Sequence, residues 1–195
     1  MSVKSNRDQE FAYWAGQIDP IKAAHPGLTY DAGEADFVKF LCGQGYSTKQ
    51  LRLITGDKST CSIATNATVW DLNYPSFAVS TKSGVNVTRI FTRTVTNVGS
   101  ADSTYRAILG VPSGLNVLVE PSVLSFKSLG QKMTFSVRVS AGVDKPVPSG
   151  SLVWDDGIDQ VRSPIVAFIS SLSILLRCSH FSSCFIKNKL SSRVL

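Results

Sequence analysis

Charged residues are scarce in this chain: they make up 17% of its 195 residues, and His25 and His180 are its two histidines. Sustained amphipathic helical periodicity is also scarce, which argues against an all-α fold. Hydrophobic residues account for 43% of the sequence, enough for a packed core, so a disordered chain is excluded. Frequent glycine, proline, serine and threonine favour an all-β body with many turns.

The sequence lacks a recognisable hydrolase centre. A serine hydrolase needs a nucleophile on a special turn, a base and an orienting carboxylate, and no Gly-x-Ser-x-Gly elbow occurs. His25 precedes a proline at a predicted helix end, which favours a structural role, and His180 lies in an irregular tail. We predict no catalytic residue. Gly43-Gln44-Gly45 and Gly56-Asp57-Lys58-Ser59 lack phosphate-loop spacings, so we predict no cofactor.

Metal-ligand spacings are absent too. The four cysteines, Cys42, Cys61, Cys178 and Cys184, show no C-x-x-C spacing and have no neighbouring histidine pair, which argues against a zinc site. Asp155, Asp156 and Asp159 cluster around one glycine and suggest calcium, but a hairpin turn is the simpler interpretation. We predict no metal site.

The net charge of +6 is not spread along the chain. Residues 170–195 carry Arg177, Lys187, Lys189 and Arg193 without an acidic residue, so most of the excess lies in the tail. Because residues 1–169 show no basic stripe interleaved with aromatics, we predict no nucleic-acid partner. The apolar run from Pro164 to Leu176 is shorter than the roughly 20 residues of a membrane helix, so no membrane span is predicted.

Signals for secretion conflict. Asn66-Ala67-Thr68 and Asn86-Val87-Thr88 are N-glycosylation sequons. Cys42 and Cys61 either close a small loop or remain two buried thiols. The polar segment Met1–Glu10 contains no apolar signal-peptide core, so either the chain is cytosolic or its true start lies upstream.

Residues 11–60 are the helical part. Asp19 followed by Pro20 predicts an N-capped helix that His25-Pro26-Gly27 ends. Residues 35–42 place Phe37, Phe40 and Leu41 on one helical face, and Ser47 opens a third helix. Since these helices are too short to form a core alone, we expect them to dock on something else.

Residues 71–168 change to alternating strands. Met133, Phe135, Val137 and Val139 form the clearest period-2 run, and similar runs begin at Val85, Tyr105 and Leu115. About seven strands separated by turn clusters predict an antiparallel β-sandwich of immunoglobulin or fibronectin type III kind. Asn86 alternates with Val85 and Val87, so its side chain should face solvent. Trp154 is interpreted as a core or strand-end anchor.

Three groups of motifs fall in order along the chain. They are residues 11–20 and 24–31, then 37–42 with Cys61-Ser62, and then 71–77, 93–99, 150–154 and 161–165. Over residues 1–168 they resemble the plant subtilisin-like serine proteases related to cucumisin. The first group looks like the end of their catalytic domain, the second like their connector and the third like their fibronectin type III-like domain.

The resemblance implies a domain organisation and a fold. We expect a catalytic-domain remnant over 1–45, a connector over 46–70, a fibronectin type III-like sandwich over 71–168 and a divergent tail over 169–195. The fold class is mainly β, with short helices from the end of an α/β subtilisin-type domain before the sandwich. The resemblance also implies that Cys42 and Cys61 pair.

The function expected from the resemblance is that of a supporting fragment. The family's Asp, His and Ser triad and its Gly-Thr-Ser-Met turn lie upstream, so proteolysis belongs to the intact family member, which is expected in the apoplast. The partner is a subtilase catalytic domain, with self-association through the apolar face of residues 11–54. The alternative is a free-standing secreted sandwich that binds a protein or glycan.

Two positions depart from the family pattern. Trp14 stands where the family usually has a glycine in a tight turn. After Phe168 the family's chains normally end, whereas this one continues with unrelated residues. Both departures suggest a truncated gene product or an imperfect gene model.

Overall fold

Among the described residues, three short helices and a two-residue strand precede the β-rich part of the chain. The computed structural model describes residues 19–61, 68–82, 84–142 and 148–169. In chain order, the first elements are α1 (Pro20–Ala23), β1 (Leu28–Thr29), α2 (Glu34–Gly43) and α3 (Thr48–Thr55). Within these ranges no helix has the length and apolar character needed to cross a membrane.

The helix boundaries follow from their caps. The Asp19 carboxylate accepts the Ile21 N–H at 3.1 Å, and Pro20 occupies the first turn of α1. Ser47 and Gln50 form a reciprocal capping box at the start of α3. Gly56 ends α3 in the left-handed conformation. The three predicted helices are therefore confirmed.

Eight further strands occupy residues 77–169 of the described chain. They are β2 (Phe77–Thr81), β3 (Asn86–Asn97), β4 (Ser103–Gly110), β5 (Leu115–Glu120), β6 (Val123–Phe126), β7 (Lys132–Gly142), β8 (Ser149–Asp155) and β9 (Gln160–Ile169). The prediction of about seven strands missed the break at Pro121, which separates β5 from β6. Proline lacks the N–H that a continuous ladder would need there.

Two sheets pack face to face. The four-stranded sheet has the order β1-β3-β7-β5, and the five-stranded sheet has the order β2-β9-β8-β4-β6. The longest pairing is antiparallel and runs from Asn86 opposite Gly142 to Thr96 opposite Lys132. This arrangement confirms the predicted β-sandwich.

One pair departs from the predicted antiparallel arrangement. β2 runs parallel to β9, with Phe77 opposite Ile165. These are the first and last of the eight strands, so the strands between them form the long crossover that a parallel pair requires. β9 is buried without interruption from Ser163 to Ala167, as is typical of a strand covered on both faces.

The core lies between the sheets because alternate residues of each strand point inward. Phe135, Val137 and Val139 of β7 are buried, as their alternation predicted. Trp154 is fully buried and meets Phe135 edge-on, with ring centroids 5.0 Å apart. The interpretation of Trp154 as a core anchor is therefore confirmed.

Substitution at the centre of this core should be costly. We expect Phe135→Ala to lower the free energy of unfolding by about 3–5 kcal/mol, because it leaves a cavity beside Trp154. Phe37→Ala is the matched control: Phe37 is 43% exposed on α2, and the change should stay within about 0.5 kcal/mol. Urea unfolding followed by tryptophan fluorescence measures both. Equal losses in the two variants would contradict this assignment of the core.

Candidate functional site

The helical segment presents apolar side chains to solvent. On α3, Leu53 is 79% exposed and Ile54 is 56% exposed, while Leu51 is fully buried. Ile21 of α1 and Phe37 of α2 are also exposed, at 84% and 43%. We name the exposed set Ile21, Phe37, Leu53 and Ile54 the helical apolar surface. Such exposed apolar side chains on three successive helices are candidates for contact with another protein.

A disulfide fixes the helices to the segment that follows them. The sulfur atoms of Cys42 and Cys61 are 2.06 Å apart, so the end of α2 is covalently tied to the chain after α3. Beside the bond lies an open cavity of about 730 Å³, lined by Glu34, Ala35, Val38, Lys39, Cys42, Ser59 and Thr60. The cavity mixes polar and aliphatic groups without a concentration of ionisable side chains.

Residues 28–31 connect the helical segment to the sandwich. Leu28 is buried in the core, and Tyr30 hydrogen-bonds Ser163 of β9 at 3.0 Å and meets Phe135 edge-on. Burial raises the pKa of Tyr30, so its hydroxyl stays neutral. We call residues 28–31 the junction strand.

Asp31 anchors the end of the junction strand. Its carboxylate accepts a hydrogen bond from the buried Thr96 hydroxyl and lies 2.9 Å from the Lys132 ammonium. The hydrogen bond from Thr96, followed by Lys132, lowers the pKa of Asp31. Asn73 completes the contact, since its amide donates to the Asp31 carbonyl at 2.9 Å and to the Thr94 carbonyl at 2.8 Å.

Gly27 lets the junction strand approach the sandwich. Its φ is +73°, and a Cβ built there would lie 2.7 Å from the Asp159 Cβ and 2.8 Å from the Tyr105 hydroxyl. The Gly27 carbonyl accepts the Val98 N–H at 2.9 Å. Both the backbone conformation and the contact distance therefore require glycine.

Arg93 carries a charge into the sandwich and is only 3% exposed. Its guanidinium donates to the backbone carbonyls of Tyr74 at 2.9 Å and Trp70 at 2.7 Å. It also lies over the rings of Phe77 and Phe91, 5.3 and 5.4 Å from their centroids. Burial lowers the pKa of Arg93 to about 10, so the group remains charged at neutral pH.

The acidic cluster between β8 and β9 forms a hairpin turn. Asp155 accepts the Gly157 N–H at 2.7 Å, and Asp156 accepts the N–H groups of Ile158 and Asp159 at 2.9 and 2.7 Å. These bonds are the local turn contacts that such residues favour. In the described part of the chain, no group of three or more His, Cys, Asp or Glu residues is placed to hold a metal ion.

The remaining singled-out residues are separated from one another. His25 is exposed at the end of α1, where its N–H donates to the Lys22 carbonyl at 3.1 Å. Asn86 is exposed at the start of β3. Asn66, His180 and Trp14, together with residues 170–195, lie outside the described residues. The described residues that were singled out thus do not meet in one catalytic constellation.

Residue-by-residue analysis of the sequence missed the sites that join the segments. Arg93 alternates with Phe91 and Val95, so the period-2 pattern already placed a charge on an inward-facing position. That pattern was a usable signal. Asp31, Asn73 and Lys132 are far apart in the chain, and no local pattern indicates that they meet.

Comparison with known sequences identifies relatives of the chain. Residues 71–167 match the family described as the fibronectin type-III domain. The chain is 48% identical over 165 residues to the Subtilisin-like protease SBT4.8 of Arabidopsis thaliana, covering 82% of this chain and 23% of that protein. It is 47% identical over 167 residues to SBT4.6 of the same species, covering 84% and 23%. The chain thus spans about a quarter of the length of these relatives.

Likenesses to solved structures are weak. A FixG-related protein from Vibrio parahaemolyticus has a TM-score of 0.36 and 9% identity, covering 44% of this chain and 82% of that one. The secreted serine protease VesC from Vibrio cholerae has a TM-score of 0.37 and 13% identity, covering 52% and 23%. No functional argument rests on scores at this level.

The Asp31 contact should make stability depend on acid pH. A carboxyl whose pKa is lowered by folding stabilises the protein above its unfolded value of about 3.9, and the contribution is lost as the pH falls through the folded value. We expect Asp31→Asn to cost about 0.2–1 kcal/mol at neutral pH, because the ion pair is half exposed, and to cost less at acid pH. Urea midpoints at neutral and acid pH measure the difference.

The control for this prediction is Asp102→Asn. Asp102 pairs with Lys127 at 3.7 Å, but both side chains are 81% exposed, so its removal should leave the pH dependence unchanged. A pH profile that responds equally to the two variants would contradict a specific role for Asp31.

Replacing Arg93 should loosen the segment that leads into β2. In Arg93→Lys a single ammonium replaces the planar guanidinium, so at least one of the Trp70 and Tyr74 carbonyls loses its donor. We expect a loss of about 1–3 kcal/mol in the free energy of unfolding, with faster amide hydrogen exchange over residues 70–76. Arg106→Lys is the control, because Arg106 is exposed on β4 and should tolerate the change within about 0.5 kcal/mol.

Proposed function

We propose, for a chain that belongs to the plant subtilisin-like protease family and carries its fibronectin type-III domain, that it supports a protease catalytic domain without supplying catalytic residues of its own. The proposal concerns about a quarter of the length of the relatives. Proteolysis would be carried out by the rest of such a protein. The region that this chain represents would stabilise that catalytic part.

The helical apolar surface is the observation that carries the proposal. Ile21, Leu53 and Ile54 are more than half exposed, although each is a large aliphatic side chain. Covering such a side chain contributes about 1.5–3 kcal/mol, so a partner surface of ordinary apolar character would be held firmly. A protease catalytic domain that precedes this segment in the same protein would have this surface within direct reach.

The junction strand supplies the mechanical part of the proposal. A docked domain needs an attachment that does not swing freely, and the junction strand is held to both sheets. Leu28 and Thr29 pair with Asn97 and Thr96 of β3, and Tyr30 bonds Ser163 of β9. Force or strain on the helical segment would therefore pass into the sandwich.

For the division of the chain we propose the one that the family resemblance implies. Residues 1–45 would complete the catalytic domain, 46–70 would connect, 71–168 would form the sandwich and 169–195 would add a divergent tail. The Cys42–Cys61 disulfide supports a secretory route, because disulfides persist in oxidising compartments. On this basis we propose an extracellular location for the protein.

A domain exchange tests the proposal. The aligned 165 residues of the Arabidopsis relative SBT4.8 would be replaced by the corresponding residues of this chain, and the secreted product would be treated with an activity-based serine probe. We expect the exchanged enzyme to be labelled and the present chain alone to remain unlabelled. Labelling of the chain alone at any serine would overturn the proposal.

The matched variants locate the contact. Leu53→Asp in the exchanged enzyme should lower the yield of labelled protease by about ten-fold or more, because it buries a charge at the interface. Leu129→Asp is the control, since Leu129 is 65% exposed in the loop between β6 and β7. Equal yields would show that the helical apolar surface is not the contact.

Sedimentation of the chain alone completes the test. An uncovered helical apolar surface should drive concentration-dependent self-association that Leu53→Asp abolishes. An exchanged enzyme that is never active, together with a chain that stays monomeric, would favour the free-standing binding module instead.

A further inference from the structure

The sequon Asn86-Val87-Thr88 lies at the very start of β3, on an exposed part of the sheet. Asn86 is exposed, whereas the inward-facing Val87 packs against the core. Asn86 therefore faces away from the core, on the outer face of the four-stranded sheet. This orientation is the one that a carbohydrate on its side chain would need.

The strand partner leaves room for that carbohydrate. Asn86 is directly opposite Gly142 of β7, which has no side chain. A Cβ built at Gly142 would lie 2.6 Å from Asn86 Oδ1, and its only other contact within 4 Å is Asn86 Cγ at 3.8 Å. The amide oxygen is thus turned toward the partner strand, and the amide nitrogen is turned away from it.

On the side of β3 away from β7, no described strand of this sheet lies beside Asn86. In the four-stranded sheet, β1 pairs with β3 only at Asn97 and Thr96, at the opposite end of the strand. Among the described residues, Asn86 therefore has a neighbouring strand on one side alone. Within the part of the chain that the structure describes, a large substituent on its nitrogen would meet no second strand of this sheet on that side.

The hydroxyl of Thr88, the third residue of the sequon, is hydrogen-bonded once the sheet has formed. The Thr88 hydroxyl lies 2.9 Å from the hydroxyl of Ser140, which is 52 positions further along the chain. During synthesis the sequon is therefore available before its strand partner has been made.

We propose that Asn86 is an N-glycosylation site whose glycan covers one end of the outer face of the four-stranded sheet. The reaction forms a bond between Asn86 Nδ2 and the anomeric carbon of an oligosaccharide. It breaks the bond from that carbon to the phosphate oxygen of a lipid-pyrophosphate donor; the lipid pyrophosphate leaves, and Nδ2 loses one proton. The proposal goes beyond the supporting role and needs only entry into the secretory pathway.

The site has a consequence for partners. A glycan at Asn86 keeps its end of the sheet face in water, so a protein surface cannot cover that end. The helical apolar surface lies on a different segment and carries no described sequon. Glycosylation and docking can therefore occur on one molecule.

Secretion from yeast tests the site directly. The full chain would be expressed behind a cleavable secretory leader, and the secreted protein treated with peptide-N-glycosidase and analysed by peptide mass spectrometry. We expect residue 86 to be converted from Asn to Asp by the enzyme. Asn86→Gln should remove one glycan by gel mobility, and so should Thr88→Ala, whereas Thr88→Ser should retain a glycan.

Asn66→Gln serves as the internal reference, because it removes the chain's other sequon. An unmodified Asn86 in the secreted chain would overturn the proposal, whether or not Asn66 is modified. Loss of the glycan in Asn86→Gln but not in Thr88→Ala would also overturn it. Because these readouts are masses of the chain alone, failure of docking in the exchanged enzyme would leave them unchanged, and the two proposals fail separately.

Discussion

A buried guanidinium determines how the chain enters the sandwich. Arg93 lies on the inward face of β3, and its guanidinium donates to the backbone carbonyls of Trp70 and Tyr74, in the segment before β2, and of its neighbour Thr92. Burying a charge without hydrogen bonds would be prohibitive, so the carbonyls of Trp70 and Tyr74 must stay where the guanidinium can reach them. The path of residues 70–74 is therefore a condition for folding the core.

That fixed path in turn positions the junction strand. Asn73 lies between two carbonyls held at Arg93, and its side chain bonds both Thr94 of β3 and the carbonyl of Asp31. Asp31 then reaches Thr96 and Lys132 on neighbouring strands. Through the side chain of Asn73, these contacts link the buried charge of Arg93 to the surface ion pair of Asp31 with Lys132. These contacts attach the helical segment to the sandwich at Asp31, between α1 and α2.

The sequence predicted what local patterns can encode. Alternation predicted β7, and the caps Asp19 and Ser47 predicted helix starts, because each depends on residues a few positions apart. The parallel pairing of β2 with β9 and the meeting of Asp31 with Lys132 depend on the whole topology, which no short window contains. Arg93 is an intermediate case. The alternation of β3 predicts its inward position, but no short window predicts which carbonyls it bonds.

The outer face of the four-stranded sheet is not uniform. Near Asn86 it pairs hydroxyls across strands, as in Thr88 with Ser140 at 2.9 Å. Such groups hydrogen-bond equally well to water, so covering them yields little free energy. Further along the same face, Ile90 and Leu118 are 55% and 48% exposed. The helical apolar surface also offers aliphatic area, and burial of apolar area is the principal driving force for association. A partner is therefore favoured at the helices over the Asn86 end of the sheet, and that end can carry a glycan without loss of apolar contact.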